Sequence, residues 1–118
     1  MEHVILVLDI GTQSTRASIV NDKGEIKIIK VEKYETPYLT PKEGYVEQHP
    51  DFYYDAICKC TKAVAEEEPE LMKACKSMVI AAFRDTACYL DEKMNVVRNS
   101  VLWLDQRSAK LTKKLAWY

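Results

Sequence analysis

The sequence predicts a mixed α/β fold, and three observations carry that prediction. A branched-aliphatic run over residues 4–8, followed at tight turns by two more strand-like stretches, reads as a β-meander. Apolar residues then recur at helical spacing over residues 50–67. Beyond that helix the pattern returns to short strands over residues 77–104. At 118 residues the chain has the size of one ordinary domain and is long enough for a real core.

The first strand is an unbroken Val-Ile-Leu-Val-Leu run, the pattern of a strand buried on both faces, and it delivers Asp9 to the point where it emerges. Residues 15–21 alternate enough for a second strand. Asn21-Asp-Lys-Gly24 then turns the chain, with Gly24 at a position that calls for positive φ. The third strand, residues 25–35, sets Ile26, Ile28 and Val31 against Lys27, Lys30 and Lys33. Pro37, Pro41 and Gly44 break the pattern, so residues 36–49 read as a loop in which Tyr45 and Glu47 serve packing.

Pro50 suits the first turn of a helix, and Asp51 places a favourable charge there. Phe52, Tyr53, Ala56, Ile57, Cys60, Ala63 and Val64 carry the helix to about Glu67. Glu66, Glu67 and Glu68 before Pro69 read as a solvated helix end rather than a metal site, and residues 70–74 allow one short helical turn. Residues 77–83 form an apolar strand, Arg84-Asp-Thr86 interrupts it, and residues 87–90 resume. A turn over 91–95 leads into an extended stretch over 96–104. A last amphipathic helix begins at Asp105, with Ala109, Leu111 and Leu115 on its apolar side, and runs to Trp117 and Tyr118 without a stop signal, so the end reads as truncated.

Composition narrows the function classes. Hydrophobic residues make up 47% and charged residues 30%, a globular composition, and the net charge of −1 gives no reason to expect a nucleic acid or an anionic membrane as partner. No apolar run is long enough to span a bilayer and the start lacks a signal-peptide pattern, so a cytoplasmic protein is the default expectation. Cys58, Cys60, Cys75 and Cys88 contain no C-x-x-C pair and lie far from His3 and His49; they read as buried or half-buried free thiols with no chemistry assigned.

The stretch around which the chain is organised is Leu8-Asp-Ile-Gly-Thr-Gln-Ser-Thr-Arg16. A strand ending in a carboxylate, then a glycine turn and a hydroxyl cluster, suits a phosphate and metal site. Backbone N–H groups in such a turn form an anion-binding concavity, and Asp9 can hold a hydrated Mg²⁺. The same residues suit an ordinary hairpin turn with polar residues, and on their own they do not choose. No G-x-x-x-x-G-K-[ST] occurs, which excludes a P-loop.

Four motifs in order resemble the N-terminal portion of the FGGY family of carbohydrate kinases, over essentially the whole chain. They are the stretch 8–16, Pro41-Lys-Glu-Gly-Tyr-Val-Glu-Gln-His-Pro50, Ala82-Phe-Arg-Asp-Thr86 and Val101-Leu-Trp-Leu-Asp-Gln-Arg107. The resemblance implies a ribonuclease H-like ATPase fold, shared with actin, chaperone ATPases and sugar kinases, of which this chain is the incomplete N-terminal part of the first domain: a mixed sheet with flanking helices. It implies ATP- and Mg²⁺-dependent phosphorylation of a hydroxyl on a small sugar or polyol, in a cleft between two actin-like domains.

On that resemblance Asp9 is the metal residue, while Gly11, Thr12, Gln13, Ser14 and Arg16 serve the phosphates. Arg16 suits a surface ion pair equally well. Arg84 and Asp85 form the sugar grip, since a charged pair interrupting an apolar run is costly unless vicinal hydroxyls satisfy it; a structural salt bridge is the competing reading. Trp103 offers an apolar face to the sugar's C–H surface or belongs to the core. Asp105 contacts substrate, caps the last helix, or does both. Asp85 stands where glycerol kinases carry Glu, one methylene longer, which leaves glycerol itself open along with a tetritol, a pentulose or a related ketose.

The family's general base lies downstream of this chain and its adenine pocket in the second domain, so the isolated chain is expected to be inactive. Apolar faces left open suggest self-association, and the full-length protein is a candidate homo-oligomer. Two further readings stand beside the kinase. One is a non-catalytic actin- or chaperone-like nucleotide switch, which would not need Arg84, Asp85, Trp103 and Asp105; the other is a kinase relative turned sugar sensor.

Overall fold

The computed structural model describes residues 3–115, and among them places β1 (Val4–Ile10), β2 (Ser14–Asn21), β3 (Ile26–Lys33), β4 (Glu47–Gln48), α1 (Pro50–Glu67), α2 (Pro69–Ala74), β5 (Met78–Ala82), β6 (Ala87–Leu90), β7 (Val96–Val101) and α3 (Ala109–Leu115). The chain divides into two compact units. One holds the segment up to Glu35 together with Asp51–Phe83; the other holds Thr36–Pro50 and the chain from Arg84 onward. No helix among the described residues is long and apolar enough to cross a membrane.

The first unit is a four-stranded sheet in the order β3-β2-β1-β5, with β1 antiparallel to β2 and parallel to β5. Strand alternation puts Val4, Leu6 and Leu8 on one face, where they pack with Ala17, Ile19, Ile28 and the α1 residues Cys60 and Val64. The opposite face of β1 is only half-buried at Ile5 and Val7, so β1 is not buried on both sides as its sequence suggests. Strand β5 is an edge strand whose apolar residues Met78, Val79 and Ile80 are exposed.

The faces of β3 differ from the expected pattern. A register shift lets Ile28 oppose Ile19 while Ile26 opposes Val20, so one extra residue is accommodated at Lys27. The bulge puts Ile26 on the opposite face from Ile28, and Val31 follows it outward by parity; both are exposed, while Ile28 is buried. Lys30 and Glu32 share the side of Ile28, where they pair with Glu67 and Lys59 of α1. The acidic helix end is thus partly engaged in ion pairs rather than simply solvated.

The second unit is a three-stranded antiparallel sheet in the order β4-β7-β6. Strand β4 lies inside the segment expected to be a loop, and Leu39 bridges to Glu47 beside it. Helix α3 begins at Ala109 rather than at Asp105, so Asp105 does not cap it. Cys60 is buried and Cys75 half-buried, but Cys58 and Cys88 are exposed, contrary to expectation. Cys58 lies on the outward side of α1, two residues from Cys60, and Cys88 on a strand with no buried residue.

Candidate functional site

In the first unit, β1 and β2 are joined by a tight hairpin. The Gly11 N–H donates to the Ser14 carbonyl at 2.9 Å, leaving Thr12 and Gln13 at the tip. A Cβ on Gly11 would stand 3.1 Å from that same oxygen, a tight approach, so the glycine serves space here and not a left-handed φ. Asp9 lies directly opposite Arg16 in the register. Because Leu8 and Ala17 face α1, Asp9 and Arg16 alternate onto the other face of the sheet. Arg16 Nη1 donates to Asp9 Oδ2 at 2.9 Å, with the two side chains 42% and 49% exposed. The ion-pair reading of Arg16 is therefore realised here. Ser14 and Thr15 are buried, which leaves Thr12 and Gln13 as the accessible side chains of the turn.

Tyr34, which the sequence did not single out, ties this hairpin down. Its main-chain N–H donates to the Gln13 carbonyl at 3.0 Å, and its hydroxyl shares a hydrogen bond with Thr15 Oγ1. Its ring meets the edge of Phe52 at 4.8 Å between centroids. Tyr53 continues the cluster to Phe83, whose N–H donates to the Ile10 carbonyl at 3.0 Å. Burial pushes the Tyr34 phenol up and that of Tyr53 up to about 12. Burial also raises the thiols of Cys60 and Cys75, the opposite of a reactive thiolate. The one hint in the sequence was the aromatic character of Tyr34, Phe52, Tyr53 and Phe83; their meeting depends on three separate segments.

In the second unit, Arg84 and Asp85 form an exposed bend between β5 and β6, with Asp85 at φ 59°. Neither makes an ion pair among the described residues, so the salt-bridge alternative is not realised. Nor is there a buried charge in need of compensation, because water reaches both. Asp85, Trp103 and Asp105 line one open concavity of about 630 Å³; Arg84 is not among its lining residues. Trp103 is 53% exposed, not core, and its main-chain N–H donates to Thr86 Oγ1 at 3.3 Å.

Asp105 is spoken for by its own unit. Its side chain is 3% exposed and accepts from the Val46 N–H at 2.7 Å, the Arg107 N–H at 2.9 Å, and Arg107 Nε and Nη2 at 2.8 Å each. The bidentate guanidinium is the chief reason its carboxyl is held down to about 2. Arg107 Nη2 also donates to Glu47 Oε1 at 2.6 Å, which lowers the Glu47 carboxyl in turn, and its guanidinium stacks 4.0 Å from the Tyr45 ring centroid. Tyr45 packs from the loop, as expected, whereas Glu47 belongs to β4, and both pack on Arg107. Arg107 and Glu47 each stood in a quoted motif, yet nothing in the sequence pairs residues sixty positions apart. Among the described residues no group of three His, Cys, Asp or Glu side chains could hold a metal.

These features can be set beside known proteins. Residues 4–117 match the family described as "FGGY family of carbohydrate kinases, N-terminal domain". A glycerol kinase from Thermococcus gammatolerans is 30% identical over 115 residues, 98% of this chain and 23% of its own length. One from Aquifex aeolicus is 28% identical over 116 residues, with the same coverage. The chain thus spans about a quarter of the length of such relatives. The crystal structure of xylulose kinase from Rhodospirillum rubrum superposes with a TM-score of 0.86 at 20% identity, over 97% of this chain and 23% of that one. Plasmodium falciparum glycerol kinase with ADP superposes at 0.77 and 23% identity, over 99% and 24%. Those structural likenesses establish the actin-like sugar-kinase fold, and the match over residues 4–117 establishes the lineage: this chain belongs to the FGGY family of carbohydrate kinases, in the part that forms their N-terminal domain.

Proposed function

We propose that the protein carrying this chain transfers the γ-phosphoryl group of ATP to a hydroxyl of a small sugar or polyol. The observation that carries the reading is the concavity of the second unit. There Asp85, which makes no ion pair among the described residues, and the exposed Trp103 border an open space that Asp105 and Arg107 also line, and the ion pairs of Arg107 with Asp105 and Glu47 involve neither of them. Asp85 accepts hydrogen bonds from vicinal hydroxyls, and the indole face takes the sugar's C–H surface. Arg84 donates from the same exposed bend. Asp105, with both oxygens occupied, borders the ligand by shape and holds Arg107 in place. Glycerol kinase and xylulose kinase among the similar proteins fit a polyol or ketose substrate.

The first unit fits the nucleotide side. Mg²⁺ keeps most of its waters and asks for one or two carboxylates plus phosphate oxygens, so the single, half-exposed Asp9 is a sufficient donor. The turn at Gly11, tightly packed against the Ser14 carbonyl, brings backbone near an incoming phosphate at Thr12, Gln13 and Ser14, and Arg16 stands beside them. When bound, Mg·ATP supplies the phosphoryl group and neutralises its charge. This chain's residues hold and orient, and the proton of the acceptor hydroxyl leaves to a base outside this chain. The 118 residues alone are accordingly inactive.

Steady-state ADP release by the whole protein, with ATP, Mg²⁺ and a panel of polyols and ketoses, tests the reading. One substrate is expected to stimulate turnover, Asp9→Ala to abolish it, and Asp85→Ala to raise the substrate's KM by ten-fold or more, with Arg84→Ala, outside the lining, raising it less. ATP hydrolysis indifferent to every sugar would overturn the sugar site and favour the nucleotide switch.

A further inference from the structure

We infer that Tyr34 is a positioning residue for the nucleotide: with Tyr53 and Phe83 it forms an aromatic bracket behind the β1–β2 hairpin that fixes where the turn meets a phosphate. The inference rests on the nucleotide reading of the hairpin given above and adds the residues that hold the turn without touching the ligand.

The two outer strands of the sheet each reach one step beyond their regular pairing to hold the turn. On one side the last β2–β3 pair is Ser14 with Lys33, and the Tyr34 N–H then donates to the Gln13 carbonyl at 3.0 Å. On the other side the last β1–β5 pair is Ile10 with Ala82, and the Phe83 N–H donates to the Ile10 carbonyl at 3.0 Å. The anchors belong to opposite edge strands, yet their rings join one cluster. Tyr53 of α1 stands between them, its ring centroid 6.3 Å from that of Tyr34 and 5.2 Å from that of Phe83, edge-on to both.

The Tyr34 side chain then returns to the hairpin. Its hydroxyl is hydrogen-bonded to Thr15 Oγ1, and Thr15 has no exposed surface. Thr15 shares the α1 side of the sheet with Ala17, whereas Asp9 and Arg16 lie on the other face. The bracket therefore stands behind the turn as a ligand would meet it. The turn is tied at Ile10, Gln13 and Thr15, so Gly11, Thr12 and Ser14 between those ties are held in place before any phosphate arrives. A segment already ordered loses less freedom on binding. Phosphoryl transfer depends on positioning, so a loosened turn weakens the nucleotide and spares the sugar.

The test combines calorimetric titration of the whole protein with a Mg²⁺-bound, non-hydrolysable ATP analogue and steady-state KM values for ATP and for the panel member that stimulates turnover. In Tyr34→Phe the analogue's Kd and the KM for ATP are expected to rise about three- to ten-fold, the worth of one hydrogen bond, while the sugar's KM stays within about two-fold. The urea midpoint is expected to fall as well, because the buried Thr15 hydroxyl is left without its partner. The double variant Tyr34→Phe/Thr15→Val replaces both hydroxyls by apolar groups. It is expected to recover the midpoint while nucleotide affinity stays as weak as in the single variant, and it carries the same test should Tyr34→Phe fail to fold. Nucleotide affinity that recovers with the midpoint, KM values for ATP and sugar that rise alike, or unchanged affinity in both variants would overturn the positioning role and leave the nucleotide reading standing. A wild type that does not bind the analogue would overturn both.

Discussion

Arg107 joins two carboxylates from distant parts of the second unit, Glu47 and Asp105. It meets Asp105 through two parallel bonds and Glu47 through a third, and the two acids are 3% and 14% exposed. Removing the guanidinium leaves Asp105 only the main-chain N–H groups of Val46 and of position 107, and leaves Glu47 the longer contacts to Asn99 at 3.3 Å and Arg98 at 3.5 Å, so the nearly buried Asp105 loses most. Arg107→Ala is expected to lower unfolding stability, read as a lower midpoint in urea denaturation, while Arg98→Ala lowers it less. The Asp105 carboxyl makes the pH dependence explicit. It is held at about 2 in the folded chain against an ordinary 3.8, so the folded state binds fewer protons at that site than the unfolded state does between those values. Its contribution is present above about pH 4 and is lost as the pH falls toward 2. Thermal melts of wild type and Asp105→Asn should accordingly differ most at neutral pH and converge below pH 4; a constant gap would deny the Asp105–Arg107 pair its role.

At the scale of elements, the hairpin between β1 and β2 turns on one missing side chain. A Cβ at position 11 would press to 3.1 Å on a carbonyl that the same residue's N–H already engages, and a backbone atom there has little freedom to give way. Gly11→Ala is expected to cost about 1 kcal/mol and to weaken nucleotide binding more than sugar binding, checked by calorimetric titration with each ligand. The sequence made this turn legible because a strand, a carboxylate and a glycine stand in one continuous stretch. Helix α1 was legible for the same reason, through local spacing and Pro50, whereas α2 was expected only as one short turn over residues 70–74, with Pro69 read as ending α1 rather than opening α2. What escaped depends on distant partners. Strand β4 is two residues long and exists because Val101 and Ser100 pair with it. The bulge at Lys27 reverses the parity of β3, and no local pattern announces it. The site shows the same division: Asp85 and Trp103 came from motifs, whereas the saturation of Asp105 and the bracing by Tyr34 became visible only with the fold.

The chain divides into two compact units, to which the proposed function gives separate tasks. One carries a sheet whose helix-free face presents Asp9 and Arg16, and the other carries the concavity at Asp85 and Trp103. The order of elements apart from β4 was readable from periodicity, but periodicity is shared by many mixed α/β folds, and it was the succession of four motifs that selected one family. Membership in that family fixes a lineage of phosphoryl-transfer enzymes; the acceptor belongs to the site. The central claim is that a hydroxyl becomes a phosphate ester. ³¹P NMR of the whole protein turning over ATP and Mg²⁺ with the polyol and ketose panel tests it most directly. The account predicts a new phosphomonoester resonance, growing in step with ADP, with one member of the panel. Inorganic phosphate alone, appearing at the same rate with every sugar and with none, would contradict it.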